Sequence, residues 1–210
     1  MAAWHRIRNG DEPISSKPDC TYAENFLHIL GAENITPLMT RIMDATLVLH
    51  GEHTINASTF TAMVTSSTLA NASQVVASAI GSLSGPLHGG ANEKVIAMLQ
   101  KIESKEEIRP WLDETLKAKN VVWGMGHREY SVKDPRANIL TDMVQELFDE
   151  RDGGVTDIFE KAIELEKACE EKLSHKGVYP NVDFYSGILY KEMDIPTDIF
   201  TPIFAMSRVS

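Results

Sequence analysis

The chain has 210 residues, of which 43% are hydrophobic and 24% charged, as is ordinary for a globular protein that buries a core. Its formal net charge of -10 disfavours nucleic acid or an anionic membrane as a partner, because phosphate binding depends on clustered Lys and Arg. Cys20 and Cys169 lie far apart without CxxC spacing, which supports neither a disulfide framework nor a zinc ribbon. The first residues lack the apolar core of a signal peptide, and no run approaches the roughly 18 apolar residues of a membrane span. We therefore expect a cytoplasmic protein.

Apolar residues recur at three- and four-residue spacing along most of the chain, which predicts α-helices. The opening segment is polar, contains Pro13 and Pro18, and is predicted to be extended. Residues 57–80 are rich in Ala, Ser, Thr and Val, which favours one buried, tightly packed helix. The other predicted helices span 37–50, 92–101, 105–119, 136–150, 156–173 and 184–193. Because the alternating pattern of strands is nearly absent, the sequence predicts an all-α protein with its functional residues in loops.

Three loop-like segments interrupt the helical pattern: GSLSGPLHGG, WGMGHREYSVKDPR and HKGVYPNVDFYSG. The first contains four glycines, which allow unusual backbone angles and close approach to a ligand. It lacks the Lys-Ser/Thr ending of a Walker loop, and GMGH neither follows a plausible strand nor completes GxGxxG. Both of these nucleotide-binding classes are therefore excluded.

Four histidines, His50, His53, His88 and His127, lie at helix ends or glycine-rich breaks, where a side chain can face a cleft and transfer protons near neutral pH. His50 and His53 have a spacing that would allow metal binding, but neither HExxH nor a third ligand accompanies them, so no metal site is predicted. His50 fits a hydrogen-bonded core residue as well as a functional one. The sequence around His53 favours a contact of this residue with a ligand.

Arginines and one aspartate complete the candidate residues. Arg128 and Arg136 flank a proline turn and Arg208 lies near the carboxyl terminus, and each is either a surface charge or a bidentate ligand for a carboxylate. Asp183, in NVDFYSG, is either a helix cap or a general base held between apolar walls.

Taken together and in this order, GPLHGGANE, GHREYSVKDPRA and NVDFYSG resemble the citrate synthase family, with matching flanks from WHRIRNG to FAMSRVS. The resemblance implies an enzyme of the tricarboxylic acid cycle that joins the methyl carbon of acetyl-CoA to the carbonyl carbon of oxaloacetate and hydrolyses the citryl thioester. It implies no metal and no permanently bound cofactor. It also implies an all-α homodimer, in which a large domain (residues 1–88 and 194–210) is interrupted by a small domain (residues 89–193).

The resemblance assigns roles residue by residue. Asp183 would remove the methyl proton, His88 would hydrogen-bond the thioester oxygen of the enol or enolate, and His127 would polarise the oxaloacetate carbonyl and supply a proton. The residues that would bind the oxaloacetate carboxylates are His53, Arg136 and Arg208. The residues that would contact CoA are Val122, Gly124, Met125, Gly126 and Asn181.

Two further expectations follow from the resemblance. Family members have helices before this start and continue beyond FAMSRVS, so we expect a truncated chain that is deficient in activity alone and exposes apolar surface. Glu52 and Thr54 also depart from the HADHE of many relatives.

Three alternative functions stay open. A 2-methylcitrate synthase acting on propionyl-CoA differs by one methylene, which a pocket discriminates by only about 1 to 3 kcal/mol. A citrate-cleaving lyase would run the carbon–carbon chemistry in reverse. A non-catalytic module would retain the fold for oligomerisation or ligand sensing.

Overall fold

The computed structural model describes residues 1–51, 54–127, 131–151 and 154–209. Within these ranges the chain forms α-helices, three short 3₁₀ helices and one isolated bridge, so the all-α prediction is confirmed. The α-helices are α1 (Ala2–Arg8), α2 (Tyr22–Leu30), α3 (Pro37–Gly51), α4 (Ala57–Ser67), α5 (Ala72–Leu83), α6 (Ala91–Leu99), α7 (Ile108–Lys117), α8 (Pro135–Glu150), α9 (Asp157–Leu173), α10 (Val182–Glu192) and α11 (Phe200–Val209). None of the helices in these ranges combines the length and the apolar character that a membrane span requires.

Two compact units divide the chain. The first comprises the described residues of 1–54 and 202–210, and so contains α1, α2, α3 and most of α11. The second comprises the described residues of 55–201 and contains α4 to α10. The domain boundaries inferred from the family resemblance, after residues 88 and 193, stay predictions.

In the first unit, α2 packs on α3 through buried apolar side chains that include Leu27 and Ile42. His50, near the end of α3, is fully buried, and its Nδ1 lies 2.7 Å from the Thr46 carbonyl. The ring meets that of Phe204 edge-on, with centroids 4.9 Å apart. Of the two interpretations left open by the sequence, His50 is thus the hydrogen-bonded core residue.

In the second unit, α10 is the central helix and packs against both α6 and α8. Phe184, Tyr185 and Ile188 of α10 are completely buried. A glycine is required where α10 crosses α6, because a Cβ at Gly187 would lie 2.7 Å from the backbone oxygen of Asn92. Close helix packing therefore fixes the position of α10, whose first turn carries Asp183.

Two predictions about local structure are wrong. The opening segment is not extended throughout, since AAWHRIR forms α1, and its basic residues in the last turn interact favourably with the helix dipole. Residues 57–80 form not one buried helix but two helices, α4 and α5, separated at Leu69, which has a φ of 62°. Asn71 starts the second helix with a capping box to Gln74. Only Ser58 of α4 and Leu83 of α5 are buried.

Helices α2 and α11 lie outside the helices predicted from the sequence. Their residues form well-packed elements of the first unit, with Leu27 and Ile203 fully buried. Both helices are short, at 9 and 10 residues. Segments of this length show few repeats of the helical period, and tertiary packing decides their structure.

The crossing of α6 and α10 is tested by Gly187→Ala. We expect this change to destabilise the fold by about 1 to 3 kcal/mol, because the added methyl group overlaps the Asn92 carbonyl and forces the helices apart. Gly81→Ala in α5 is the matched control, since a Cβ there meets nothing within 4 Å and removing a helical glycine stabilises by roughly 0.5 to 1 kcal/mol. Urea unfolding followed by circular dichroism measures both, and equal effects of the two changes would contradict the packing argument.

Candidate active site

The loop that precedes His127 pairs with the segment that precedes Asp183. Met125 forms an antiparallel bridge with Pro180, and the Gly126 N–H donates a 2.8 Å hydrogen bond to the carbonyl before that proline. Two of the loops predicted to carry chemistry are therefore joined through their backbones.

Asn181 ties these loops together and caps α10. Its backbone N–H donates to the Gly124 carbonyl at 2.9 Å, and its Nδ2 donates to the Gly126 carbonyl at 2.9 Å. Its Oδ1 accepts a 3.0 Å hydrogen bond from the Asp183 N–H. The side chain assigned to CoA contact thus has a structural role, and its contact with CoA stays a prediction.

The loop of residues 122–126, which the family resemblance assigns to CoA contact, packs against other residues of the second unit. Gly124 has a φ of 79°, and a Cβ there would lie 2.8 Å from side-chain atoms of Phe184 and Val95. Val122 is only 7% exposed. Gly126 also has a positive φ, of 86°. Glycine is therefore needed for the loop's own geometry.

Asp183 lies in the first turn of α10, half-buried and directly before Phe184. The capping residue of α10 is Asn181, so the interpretation of Asp183 as the helix cap is wrong. A carboxylate in a first helical turn is stabilised by the helix dipole. Of the two interpretations of Asp183 from the sequence, the general base is the one that still needs a test.

His88 is oriented by Ser58. The Ser58 N–H is 3.3 Å from His88 Nε2, and the Ser58 Oγ is 3.0 Å from the same atom. The Ser58 hydroxyl donates to Asn56 Oδ1 at 2.7 Å. Because a backbone N–H can only donate, Nε2 is the acceptor, and neutral His88 carries its proton on Nδ1. Nδ1–H is then the donor that the predicted role of His88 requires.

Asp134 is a buried partner of Arg136. Its side chain is fully buried, and it accepts hydrogen bonds from Arg136 Nε at 3.1 Å, Nη2 at 2.8 Å and the backbone N–H at 2.9 Å. Burial by itself raises the pKa of Asp134. The hydrogen bonds from Arg136 and the charges of Arg136 and His127 together lower it by more than burial raises it, so the net pKa is below its ordinary value. The carboxylate fixes the guanidinium plane of Arg136 and interacts electrostatically with His127.

Arg208 belongs to the first unit, where it is half-buried. Its Nε donates to the His50 carbonyl at 2.8 Å, and its guanidinium carbon lies 4.8 Å from the centre of the Phe204 ring. The end of α3 favours a cation there, since helix carbonyls point outward at that end. His53, predicted to act with it, lies outside the described residues, as does Arg128.

The sequence motifs assign no function to Asn56, Ser58 or Asp134. A signal for Asp134 was present, because Asp before Pro at a helix start is a typical N-cap with proline in the first turn. The contact of Ser58 with His88 joins residues 30 positions apart, which no local pattern indicates. In the part of the chain that the structure describes, no three His, Cys, Asp or Glu side chains are grouped to share a metal ion.

These features describe an all-α protein that carries a carboxylate in a capped helical turn and two histidines at glycine-rich breaks, groups suited to acid–base chemistry. The whole chain, residues 1–210, matches the family model described as citrate synthase, C-terminal domain. The chain belongs to the citrate synthase family, which confirms the resemblance read from its motifs.

Relatives agree with this assignment. The citrate synthase of Synechocystis sp. is 51% identical over 210 residues, covering 100% of this chain and 52% of the relative. That of Acidithiobacillus ferridurans is 49% identical over 208 residues, covering 99% and 54%. The chain therefore spans about half the length of the curated relatives it matches.

Solved structures agree as well. The crystal structure of citrate synthase from Thermotoga maritima superposes with a TM-score of 0.89 at 38% identity, covering 99% of this chain and 56% of that one. The ternary complex of the Thermoplasma acidophilum citrate synthase with carboxymethyl coenzyme A and oxaloacetate superposes with a TM-score of 0.88 at 35% identity, covering 97% and 54%. The chain thus shares its fold with citrate synthases.

The buried pair of Asp134 and Arg136 makes stability depend on pH. Because the pKa of Asp134 is lowered in the folded state, its contribution is present above the ordinary pKa of about 3.9 and is lost as the pH falls through the folded value. We expect Asp134→Asn to cost about 3 kcal/mol at pH 7, since it leaves a mostly buried guanidinium without its counter-charge, and to cost less at low pH. Urea unfolding at several pH values measures this, with exposed Asp142→Asn on the same helix as control. A cost of Asp134→Asn that does not change with pH would contradict the account.

The tautomer of His88 gives a second prediction. Nitrogen-15 NMR of the histidine rings, with His88→Gln used to assign the signal, should find neutral His88 protonated at Nδ1. Ser58→Ala should leave this tautomer unchanged because the backbone donor remains. A neutral ring protonated at Nε2 would overturn the assignment.

Proposed function

We propose that the protein carrying this chain condenses acetyl-CoA with oxaloacetate and hydrolyses the product to citrate and CoA. The observation that carries the proposal is the set of Asn181 hydrogen bonds, which joins the turn of Asp183 to the loop ending at His127 in a chain of the citrate synthase family. The Thermoplasma relative, described as a complex with carboxymethyl coenzyme A and oxaloacetate, supports the substrates. Cytoplasmic location is part of the same proposal.

The first chemical step is enolisation. Asp183 removes a proton from the acetyl methyl group, and His88 donates its Nδ1–H to the thioester oxygen. A carboxylate is too weak a base for a thioester carbon acid unless the developing charge is stabilised at the same time. The orientation of His88 by Ser58 supports this division of roles, because it turns the donor nitrogen away from the helix start.

The second step forms the carbon–carbon bond. His127 polarises the carbonyl of oxaloacetate and gives a proton to its oxygen as the enol carbon attacks. The charge of Asp134 interacts with His127, which supports a role for His127 as the proton donor. The alkoxide that would otherwise form is neutralised by that proton, and hydrolysis of the citryl thioester then releases CoA.

Two arginines would bind the oxaloacetate carboxylates, together with His53. Each guanidinium is held by an acceptor of its own unit, Arg136 by Asp134 and Arg208 by the His50 carbonyl. Holding the guanidinium plane before the substrate arrives lowers the entropy lost on binding. CoA would lie along the backbone of residues 122–126, with no metal or other cofactor taking part.

The hairpin of α4 and α5 supports a homodimer. Phe60, Met63 and Val64 on α4, with Val76 and Ile80 on α5, are each at least 40% exposed. Several exposed apolar side chains on one hairpin favour an interface, and membership of the citrate synthase family makes a second copy of the chain the proposed partner. We therefore place the dimer contact on this hairpin.

The dimer contact is tested by Phe60→Glu combined with Val64→Glu, which puts two charges on one face of α4. We expect the wild-type chain to associate in multi-angle light scattering and the variant to run as a monomer. The helix content of the monomer, measured by circular dichroism, should hardly change, because both side chains are exposed. A wild-type chain that is monomeric and binds no apolar dye would contradict the proposal.

The reaction is tested by release of free CoA thiol from acetyl-CoA and, separately, from propionyl-CoA in the presence of oxaloacetate. The assay uses this chain alone and the chain extended at both ends by the flanking segments of the Synechocystis relative. Asp183→Asn should lower kcat on the order of 10² to 10⁴ by removing the base. Asp194→Asn, an exposed position just beyond the other end of α10, should not.

Each result of this assay has a meaning. Faster release from propionyl-CoA would favour 2-methylcitrate synthase. Oxaloacetate binding without any release by the extended chain would favour a non-catalytic module and overturn the proposal. Full activity of Asp183→Asn would overturn the role of that residue alone.

A further inference from the structure

A half-buried carboxylate of α9 contacts two segments that carry residues of the candidate site. Glu166 Oε1 is 2.5 Å from Lys133 Nζ, and Glu166 Oε2 accepts a hydrogen bond from the Tyr185 hydroxyl. The Glu166 side chain is 16% exposed and that of Lys133 28%, whereas Tyr185 is completely buried. One carboxylate therefore binds a loop through one oxygen and a helix through the other.

Both partners of Glu166 adjoin residues with proposed roles. Lys133 directly precedes Asp134, the carboxylate that fixes the guanidinium of Arg136. Tyr185 follows Asp183 by two residues at the start of α10. The segment that leads into α8, whose first turn carries Arg136, and the first turn of α10, which carries Asp183, thus meet at a single side chain.

The chemistry of the cluster determines which groups donate the hydrogen bonds. Burial, followed by the charge and the hydrogen bond of Glu166, raises the pKa of Tyr185 well above its ordinary value, so the phenol stays a neutral donor. The Lys133 ammonium is the second donor, and its Nζ lies 5.4 Å from the centre of the Tyr185 ring. A carboxylate accepts through both oxygens and also supplies the counter-charge. A glutamine amide accepts through only one, and its NH₂ group faces a donor.

We propose that Glu166 is a positioning residue, which holds residues 131–136 against the first turn of α10 and so sets the placement of Arg136 relative to Asp183. The functional part of this proposal rests on the function proposed above. Glu166 acts only through Lys133 and Tyr185 and does not touch the substrate.

Hydrogen–deuterium exchange tests the coupling without any activity. Glu166→Gln should raise exchange in peptides covering 131–137 and 181–186 together, because the shared carboxylate is lost. The matched control is Glu171→Gln on the same helix, whose carboxylate forms a surface pair with Arg109. It should leave both peptides unchanged. Faster exchange confined to α9, or to only one of the two segments, would overturn the coupling.

Kinetics separate positioning from stability, in whichever form of the chain releases thiol. Glu166→Gln should lower kcat on the order of 10- to 100-fold, since reacting groups displaced by about 1 Å lose rate on this scale. The oxaloacetate KM should change less than about threefold, because Asp134 still holds the Arg136 guanidinium while its placement relative to Asp183 changes.

The neutral pair Lys133→Met with Glu166→Gln completes the test. The double change removes the Lys133 charge that Glu166→Gln leaves without a counter-charge, so the thermal midpoint should recover. The value of kcat should stay low, because no side chain then connects the loop to α10. If kcat recovers together with the thermal midpoint, Glu166 only stabilises the fold, and the proposal is overturned. Absence of thiol release from the wild-type extended chain would instead overturn the proposed function, and the exchange result would still decide whether Glu166 couples the two segments.

Discussion

The candidate site depends on the hydrogen bonds of one asparagine. Asn181 donates to the carbonyls of Gly124 and Gly126 and accepts from the N–H of Asp183, although the two glycines lie more than 50 residues earlier in the chain. A half-buried amide that satisfies backbone groups of two segments fixes their relative position more firmly than apolar contact alone, because leaving such groups unpaired is costly. His127 and Asp183 are thereby carried by one connected piece of backbone.

A similar arrangement orients two further polar side chains, those of Arg136 and His88. Asp134 holds the guanidinium of Arg136, and Ser58 holds the imidazole of His88 with Nδ1 as its donor. A buried ion pair is weak evidence for stability, since desolvation offsets much of the attraction, but it does fix geometry. Buried polar contacts thus fix the positions of these groups within the folded chain, as the proposed function requires of groups that stabilise a transition state.

Much of this could be predicted from the sequence, and what could not has a physical reason. The helical period and the glycine-rich breaks predicted an all-α fold with its site in loops, and three motifs in order identified the family. The split between α4 and α5 was missed because Leu69 and Asn71 end and restart a helix in a segment whose composition looks uniform. Ser58 and Glu166 were missed because their partners are distant in sequence and are brought near only by folding.

The most direct test of the account is a crystal structure of the extended chain with oxaloacetate and carboxymethyl-CoA bound, in which the carboxymethyl group stands in for the acetyl enolate. The account predicts an Asp183 carboxylate oxygen within about 3.5 Å of the carbon that stands for the acetyl methyl group. It also predicts His88 Nδ1 in hydrogen-bond contact with the oxygen that stands for that of the thioester. An Asp183 carboxylate turned away from the ligand, or His88 presenting Nε2 to it, would contradict the central claim that these two residues share the enolisation step.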